Sequence, residues 1–222
     1  MNSGTTLQSR MLELGNSSAT NKRSLLLRLL RAAQPISRTE MAERLNIDKS
    51  TVTEIVKPLL DTGLLHEEKL PAVKGQGRRS RILSFVDGGN YFIGVNLGVR
   101  RTQVGLTTLK GEIIEENDFE TPNTPGIALR KVKRYVDEII KKNSDKHLEA
   151  IGVSVPGMTD PGRTELIFAP NLDWRNVKIA EMLDQTDTRV VVENDSTAAA
   201  MYEARLKIRD TTDGLLSNFI LV

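Results

Sequence analysis

The chain has 222 residues, 39% of them hydrophobic and 27% charged, with 31 Lys and Arg against 29 Asp and Glu. That balance excludes a collagen-like or disordered chain and a stapled mini-protein, and leaves one large domain or two small ones. With no cysteine there are no disulfides, thiol nucleophiles or Cys-ligated zinc. No apolar run approaches the roughly 20 residues of a membrane span, and residues 1–23 lack a secretory apolar stretch, so a cytoplasmic protein with no membrane partner is expected.

Charge is divided unevenly along the chain. Residues 1–86 carry 14 Lys and Arg against 8 Asp and Glu, a net of +6, while residues 87–222 carry 17 against 21, a net of −4. A basic half suggests a polyanion, and an ordinary basic surface is the alternative that the pattern within that half must exclude.

Residues 1–19 are rich in Ser, Asn, Thr and Gly and read as an arm. From Thr20, the apolar residues Leu25, Leu26, Leu29, Leu30 and Ala33 recur at helical spacing. Gln34-Pro35 stops this helix, and Ser37-x-x-Glu40 is a capping box that opens a second through Met41, Ala42 and Leu45. After Asn46-Ile47, Asp48 is the expected N-cap of a third helix with Val52, Ile55, Val56 and Leu59 inward and Gly63 at its C-terminal cap. Pro58 should kink or shorten it.

Two short helices joined by so brief a turn form a helix-turn-helix, with the second as the reading helix. Lys49, Ser50, Thr51, Thr53, Glu54 and Lys57 occupy the face its apolar stripe leaves free, and these side-chain types reach phosphates or base edges. Arg38, in the first turn of the preceding helix, joins them as a candidate DNA contact. Residues 64–67 and 81–85 read as strands around the loop KLPAVKGQGRRS, a winged hairpin. Its Lys74, Arg78 and Arg79 sit among Gly75 and Gly77, where glycine permits close approach and arginine suits a narrow minor groove. His66 is read as an ordinary strand residue.

The second half begins with a three-stranded meander, 91–98, 102–106 and 112–115, followed by an amphipathic helix over 126–142. A buried strand over 150–155 runs into Pro156-Gly157. After a loop come a helix at 177–183, a strand at 189–192, an alanine-rich helix at 194–206 and a strand at 217–222.

The winged helix, together with Ile93-Gly94-Val95-Asn96-Leu97-Gly98, Gly152-Val153-Ser154-Val155-Pro156-Gly157, Ala169-Pro170-Asn171-Leu172-Asp173-Trp174 and Glu193-Asn194-Asp195, resembles the ROK family of repressors and sugar kinases. The winged helix is similar to that of its sugar-responsive repressors, such as xylose and N-acetylglucosamine repressors. The resemblance implies an α+β chain, with a winged helix-turn-helix over 20–86 followed by a ribonuclease-H-like, actin-like α/β lobe over 87–222. It also implies that the second lobe, the family's zinc motif and the Glu and His completing its sugar site are missing.

By the same resemblance, Asn194 and Asp195 hold sugar hydroxyls, and in family kinases the Asp takes the proton of the attacking hydroxyl. Asn194 can also N-cap the helix it precedes, and Gly157 either lets the backbone approach the sugar or serves a turn. Trp174 is expected to pack the lobe. Where family kinases carry Asp-x-Gly-Gly-Thr in the phosphate hairpin, this chain reads Asn96-Leu97-Gly98-Val99-Arg100, losing a carboxylate and a glycine. The expectation is a homodimeric repressor bound to operator DNA and released by a pentose or hexose inducer, with no catalytic residue, cofactor or metal. The alternatives are a sugar kinase fused to a DNA-binding domain, and a DNA-binding module that does not respond to sugar.

Overall fold

The structure, a computed structural model, describes residues 17–69, 81–86, 88–184 and 188–210. The expected arm up to residue 16, the wing-tip residues Lys74, Gly75, Gly77, Arg78 and Arg79 and the expected strand at 217–222 lie outside the described residues. The described residues divide into two compact units, one of 17–69, 81–86 and 201–210 and the other of 88–184 and 188–200.

In the first unit, helix α1 (Ser17–Ala33) buries Leu26, Leu29 and Leu30. Leu25 is not part of this stripe. It lies one 100° step from Leu26 and is 36% exposed, and Ala32 is buried where Ala33 is only half-buried. A two-residue strand β1 (Ile36–Ser37), too short to leave a sequence period, leads into helix α2 (Arg38–Leu45). Ser37 Oγ accepts the Glu40 amide at 3.1 Å, a cap contributing about 1 kcal/mol. The reciprocal half of the expected capping box does not form. Ser37 is paired opposite Ile82 in a sheet, and Glu40 instead accepts Arg44 Nη2 at 2.8 Å.

Asn46, at φ 49°, ends α2 with its N–H on the Ala42 and Glu43 carbonyls. Helix α3 (Lys49–Asp61) follows and buries Val52, Val56 and Leu59. Asp48 occupies its N-cap in extended backbone, but the side chain makes no cap hydrogen bond. The helix continues only three residues past Pro58, and Gly63 adopts φ +71°, which a residue with a Cβ resists. Strands β2 (Leu65–Lys69) and β3 (Arg81–Phe85) pair antiparallel from Leu65 opposite Phe85 to Lys69 opposite Arg81. With β1 they make a sheet of order β1-β3-β2.

The second unit is a five-stranded sheet of order β11-β7-β4-β5-β6. Strands β4 (Asn90–Leu97), β5 (Arg101–Thr108) and β6 (Ile113–Glu120) form the antiparallel meander, while β7 (His147–Val155) and β11 (Arg189–Asn194) add parallel. Alternation along β4 buries Tyr91, Ile93, Val95 and Leu97 and exposes Gly94 and Asn96. The buried set packs with Leu129, Val132, Val136 and Ile139 of helix α4 (Pro125–Lys142).

Residues 158–177 are not the expected loop. They form a small antiparallel sheet, β8 (Met158–Thr159), β9 (Leu166–Ala169) and β10 (Trp174–Val177), whose strands are too short to show a period of two. Val177 therefore ends a strand opposite Leu166, and helix α5 spans only Ile179–Leu183. Trp174 packs the lobe as expected, 2% exposed, with Nε1 donating to the Asn123 carbonyl at 2.8 Å. Helix α6 (Asp195–Asp210) begins immediately after β11, leaving Asn194 as the last strand residue.

Candidate functional site

Helix α3 is amphipathic in the way a reading helix requires. With Val52, Val56 and Leu59 buried, Lys49, Ser50, Thr53, Glu54 and Lys57 are exposed and Thr51 is half-buried. These side chains lie on a face carrying no packing duty. Thr53 Oγ1 donates to the Lys49 carbonyl at 2.9 Å, which fixes its rotamer and leaves its lone pairs available as acceptors.

Arg38 is placed differently from its neighbours in the candidate set. It is half-buried, and its Nε donates to Glu67 Oε1 at 2.8 Å while Arg81 Nη1 reaches Glu67 Oε2 at 3.0 Å. One carboxylate thus joins the start of α2 to both strands of the wing. Burial alone would raise the Glu67 carboxyl, but hydrogen bonds and charge from Arg81 and Arg38 outweigh it and hold the group below the usual carboxylate range. Sequence reasoning missed Glu67, whose signal was an acid at an alternate, inward position of a basic hairpin. His66 donates to or accepts from Ser84 Oγ at 3.0 Å across the hairpin, in keeping with a strand residue.

In the second unit, parallel pairing puts Asn194 opposite Val155, so the ends of β7 and β11 lie side by side. Ligands of parallel α/β sheets gather at such carboxyl ends. Gly157 and Asn194 are joined directly, with Asn194 Nδ2 donating to the Gly157 carbonyl at 3.0 Å. Asn194 Oδ1 accepts the Thr197 amide at 3.0 Å, so Asn194 is the N-cap of α6 as well. Asp195 Oδ1 accepts the Ser196 amide at 2.7 Å, and among the described residues nothing engages its Oδ2.

Gly157 serves a turn, its N–H closing on the Val155 carbonyl at 2.9 Å. It is also required by packing. A Cβ there would lie 2.3 Å from the Phe168 carbonyl oxygen and 2.8 Å from Ala169 Cα, so β9 occupies the space a side chain would need.

Residues 92–220, more than half of the chain, match the model of the ROK family. The chain belongs to the ROK family. Residues 20–72 match the MarR family model. A xylose repressor from Bacillus spizizenii is 31% identical over 183 residues, covering 81% of this chain and 47% of that protein. The DNA-binding transcriptional dual regulator NagC of Escherichia coli is 27% identical over 163 residues, 71% of this chain and 39% of that protein. The crystal structure of a ROK family transcriptional regulator, a homologue of the E. coli MLC protein, superposes with a TM-score of 0.63 at 20% identity, covering 86% of this chain and 50% of the other. The fold is accordingly a winged helix-turn-helix followed by a ribonuclease-H-like, actin-like α/β lobe. The chain spans about half the length of the curated relatives it matches.

In this ROK lobe the first hairpin is closed by its own polar groups. Ser154 Oγ donates to Asn96 Oδ1 at 2.9 Å, Asn96 Nδ2 to Gln103 Oε1 at 3.1 Å, and Gln103 Nε2 to Glu116 Oε1 at 2.7 Å. This ladder crosses β7, β4, β5 and β6 and needs an amide at Asn96, because a carboxylate could not donate to Gln103. Thr121 Oγ1 donates to the Gly98 carbonyl at 2.7 Å, and a Cβ on Gly98 would lie 2.6 Å from the Arg101 carbonyl oxygen. Arg101 is paired with Asp118. Among the described residues no group of three or more His, Asp or Glu is placed to hold a metal ion, and no described helix is long and apolar enough to cross a membrane.

Proposed function

We propose that the chain is the operator-binding and sugar-sensing part of a transcriptional repressor of sugar-utilisation genes. The observation that carries this reading is α3: a helix-turn-helix second helix with Lys49, Ser50, Thr53, Glu54 and Lys57 exposed opposite a fully buried stripe. The similarity to a xylose repressor and to NagC supports it. In this reading residues 20–86 are the DNA-binding domain and residues 87–222 the sugar lobe. A homodimer places one α3 in each major groove, with Thr51 and Thr53 facing bases and Lys49 and Lys57 facing phosphates. Lys74, Gly75, Gly77, Arg78 and Arg79 of the wing enter the flanking minor groove, and Ser50, Glu54 and Arg38 complete the DNA-facing set.

Gly157, Asn194 and Asp195 line the sugar site. A pentose or hexose that binds the non-DNA-competent form better shifts the population away from the operator, which is the linkage a repressor needs. Asn96 is committed to its amide ladder, which supports the reading that this cytoplasmic protein carries out no ATP chemistry. The test is fluorescence anisotropy of the chain on the intergenic DNA beside its own gene, at two salt concentrations and with a sugar panel. Saturable binding relieved by a sugar is expected. Binding indifferent to every sugar removes the inducer, and no sequence preference removes the repressor. ADP release with any hexose or pentose would favour the kinase reading instead.

A further inference from the structure

We infer that Arg163 is a positioning residue for the Asn194-Asp195 sugar site, holding the end of β11 through both its main chain and its guanidinium; this rests on the sugar reading above. Strand β11 is the edge of its sheet, paired with β7 on one side only among the described residues. The outer edge is where an edge strand frays, and the site residues lie at this strand's carboxyl end. A single turn between β8 and β9 meets that edge. The Arg163 carbonyl accepts the Val192 amide at 2.8 Å, and Arg163 Nη2 binds Glu193 Oε2 at 2.9 Å.

The second oxygen of Glu193, Oε1, accepts the Asn194 amide at 2.9 Å. The guanidinium therefore fixes the carboxylate that fixes the Asn194 main chain, while the Gly157 carbonyl and the Thr197 amide fix its side chain. Asn194 is held in one orientation by groups belonging to three different segments. Ordered hydroxyl recognition needs this, since each donor and acceptor must meet its partner without being reorganised.

The turn that delivers Arg163 is itself built for the task. Arg163 sits at φ 58°, a left-handed backbone that residues with a Cβ adopt only at a steric cost, whereas its neighbour Gly162 is not the residue in that region. Asp160 enforces the shape. Its Oδ1 accepts the Thr164 and Glu165 amides, each at 2.7 Å, and its carbonyl accepts the Arg163 amide at 3.0 Å. An arginine in the left-handed position aims carbonyl and side chain at β11 together, which glycine would do for the carbonyl alone.

That difference supplies the test. Arg163→Gly is compatible with the left-handed backbone and the carbonyl bond to Val192 and removes the side chain with its guanidinium; Arg163→Lys keeps a cation able to reach Glu193. On the full chain, amide exchange at Asn194 should accelerate at least about tenfold in the glycine variant and recover in the lysine variant, with Val192 still protected. Affinity for xylose, used as the pentose probe, should weaken about tenfold in the same variant, the order found when the partner that orients a metal ligand is removed, and recover with lysine. Operator affinity without sugar should stay constant. Unchanged Asn194 exchange in the glycine variant overturns the proposal, as does loss of Val192 protection in parallel, which would make Arg163 a fold residue only. If Asn194→Ala binds sugar as the parent does while Asn194 exchange responds as expected, the sugar reading fails and the proposed role in the site fails with it.

Discussion

The two candidate sites are built in opposite ways. On α3 five polar side chains project from a rigid helix, and Thr53 alone among them is tied back to it, through the Lys49 carbonyl, among the described residues. At the end of β11, Glu193 and Asn194 have every named polar atom engaged with the chain, through Arg163, Gly157 and Thr197. The difference matches the ligands proposed for the two sites. A DNA duplex offers a long array of phosphates and base edges, so long, free side chains on a fixed backbone can find register. A small polyol offers a few hydroxyls, so the protein must fix its own groups beforehand.

The sharpest way to break the fixed site is Gly157→Ala. The added Cβ would meet the Phe168 carbonyl oxygen at 2.3 Å and Ala169 Cα at 2.8 Å, both main-chain atoms of β9, so the chain at Gly157 or β9 must move. A loss of about 3 kcal/mol in denaturant stability of the lobe is expected, the upper end for overpacking. A loss below about 1 kcal/mol would show that β9 yields and that the glycine is not required by packing.

Glu67 tests whether the DNA-binding unit hides a fixed element of its own. Glu67→Gln should destabilise that unit by about 1–2 kcal/mol, between the values for exposed and buried pairs. The pH dependence has a definite sign. Arg81 and Arg38 hold the folded Glu67 carboxyl below the usual range, so its contribution is complete above the unfolded glutamate value, about 4.3. It is lost as pH falls through the lower folded value. The glutamine variant should lack this contribution, and urea titrations of both proteins from neutral pH downward would reveal it. Parallel curves would mean the ion pairs contribute nothing.

Asn194 separates two duties. Asn194→Ala should cost about 1 kcal/mol as a missing cap, and Asn194→Ser should restore that cost by supplying an acceptor for the Thr197 amide. Serine cannot replace the Nδ2 bond to Gly157, so sugar binding should stay weak in both variants. Equal sugar affinity in the serine variant and the parent would assign the residue to capping alone.

What could be read from residues alone divides along the same line. The helix-turn-helix was legible because Val52, Val56 and Leu59 carry the helical period and Gly63 ends it, both of which are local signals. The β8-β9-β10 excursion was not, because strands of two to four residues show no period, and its turn is set by Asp160 accepting amides from Thr164 and Glu165. Arg38, a candidate DNA contact, also carries an ion pair that its local sequence does not announce. It stands on the basic side of the chain, yet its partner is the anion Glu67, 29 positions away, a pairing that only the sheet register brings about.

The smallest structural effect belongs to Lys57, and it discriminates best between free and fixed sites. Lys57 is exposed, no hydrogen bond or ion pair holds it among the described residues, and Lys57→Ala should change stability by no more than about 0.5 kcal/mol. Its effect should lie instead in the salt dependence of operator binding, with the slope of log K against log salt falling by about one for the single phosphate no longer neutralised. If Lys57 meets a base edge, affinity should fall for one operator sequence and the slope stay nearly constant. Should both slope and sequence preference survive the substitution, Lys57 lies off the DNA, and because it shares a helix face with Ser50, contact is confined to the first turns of α3.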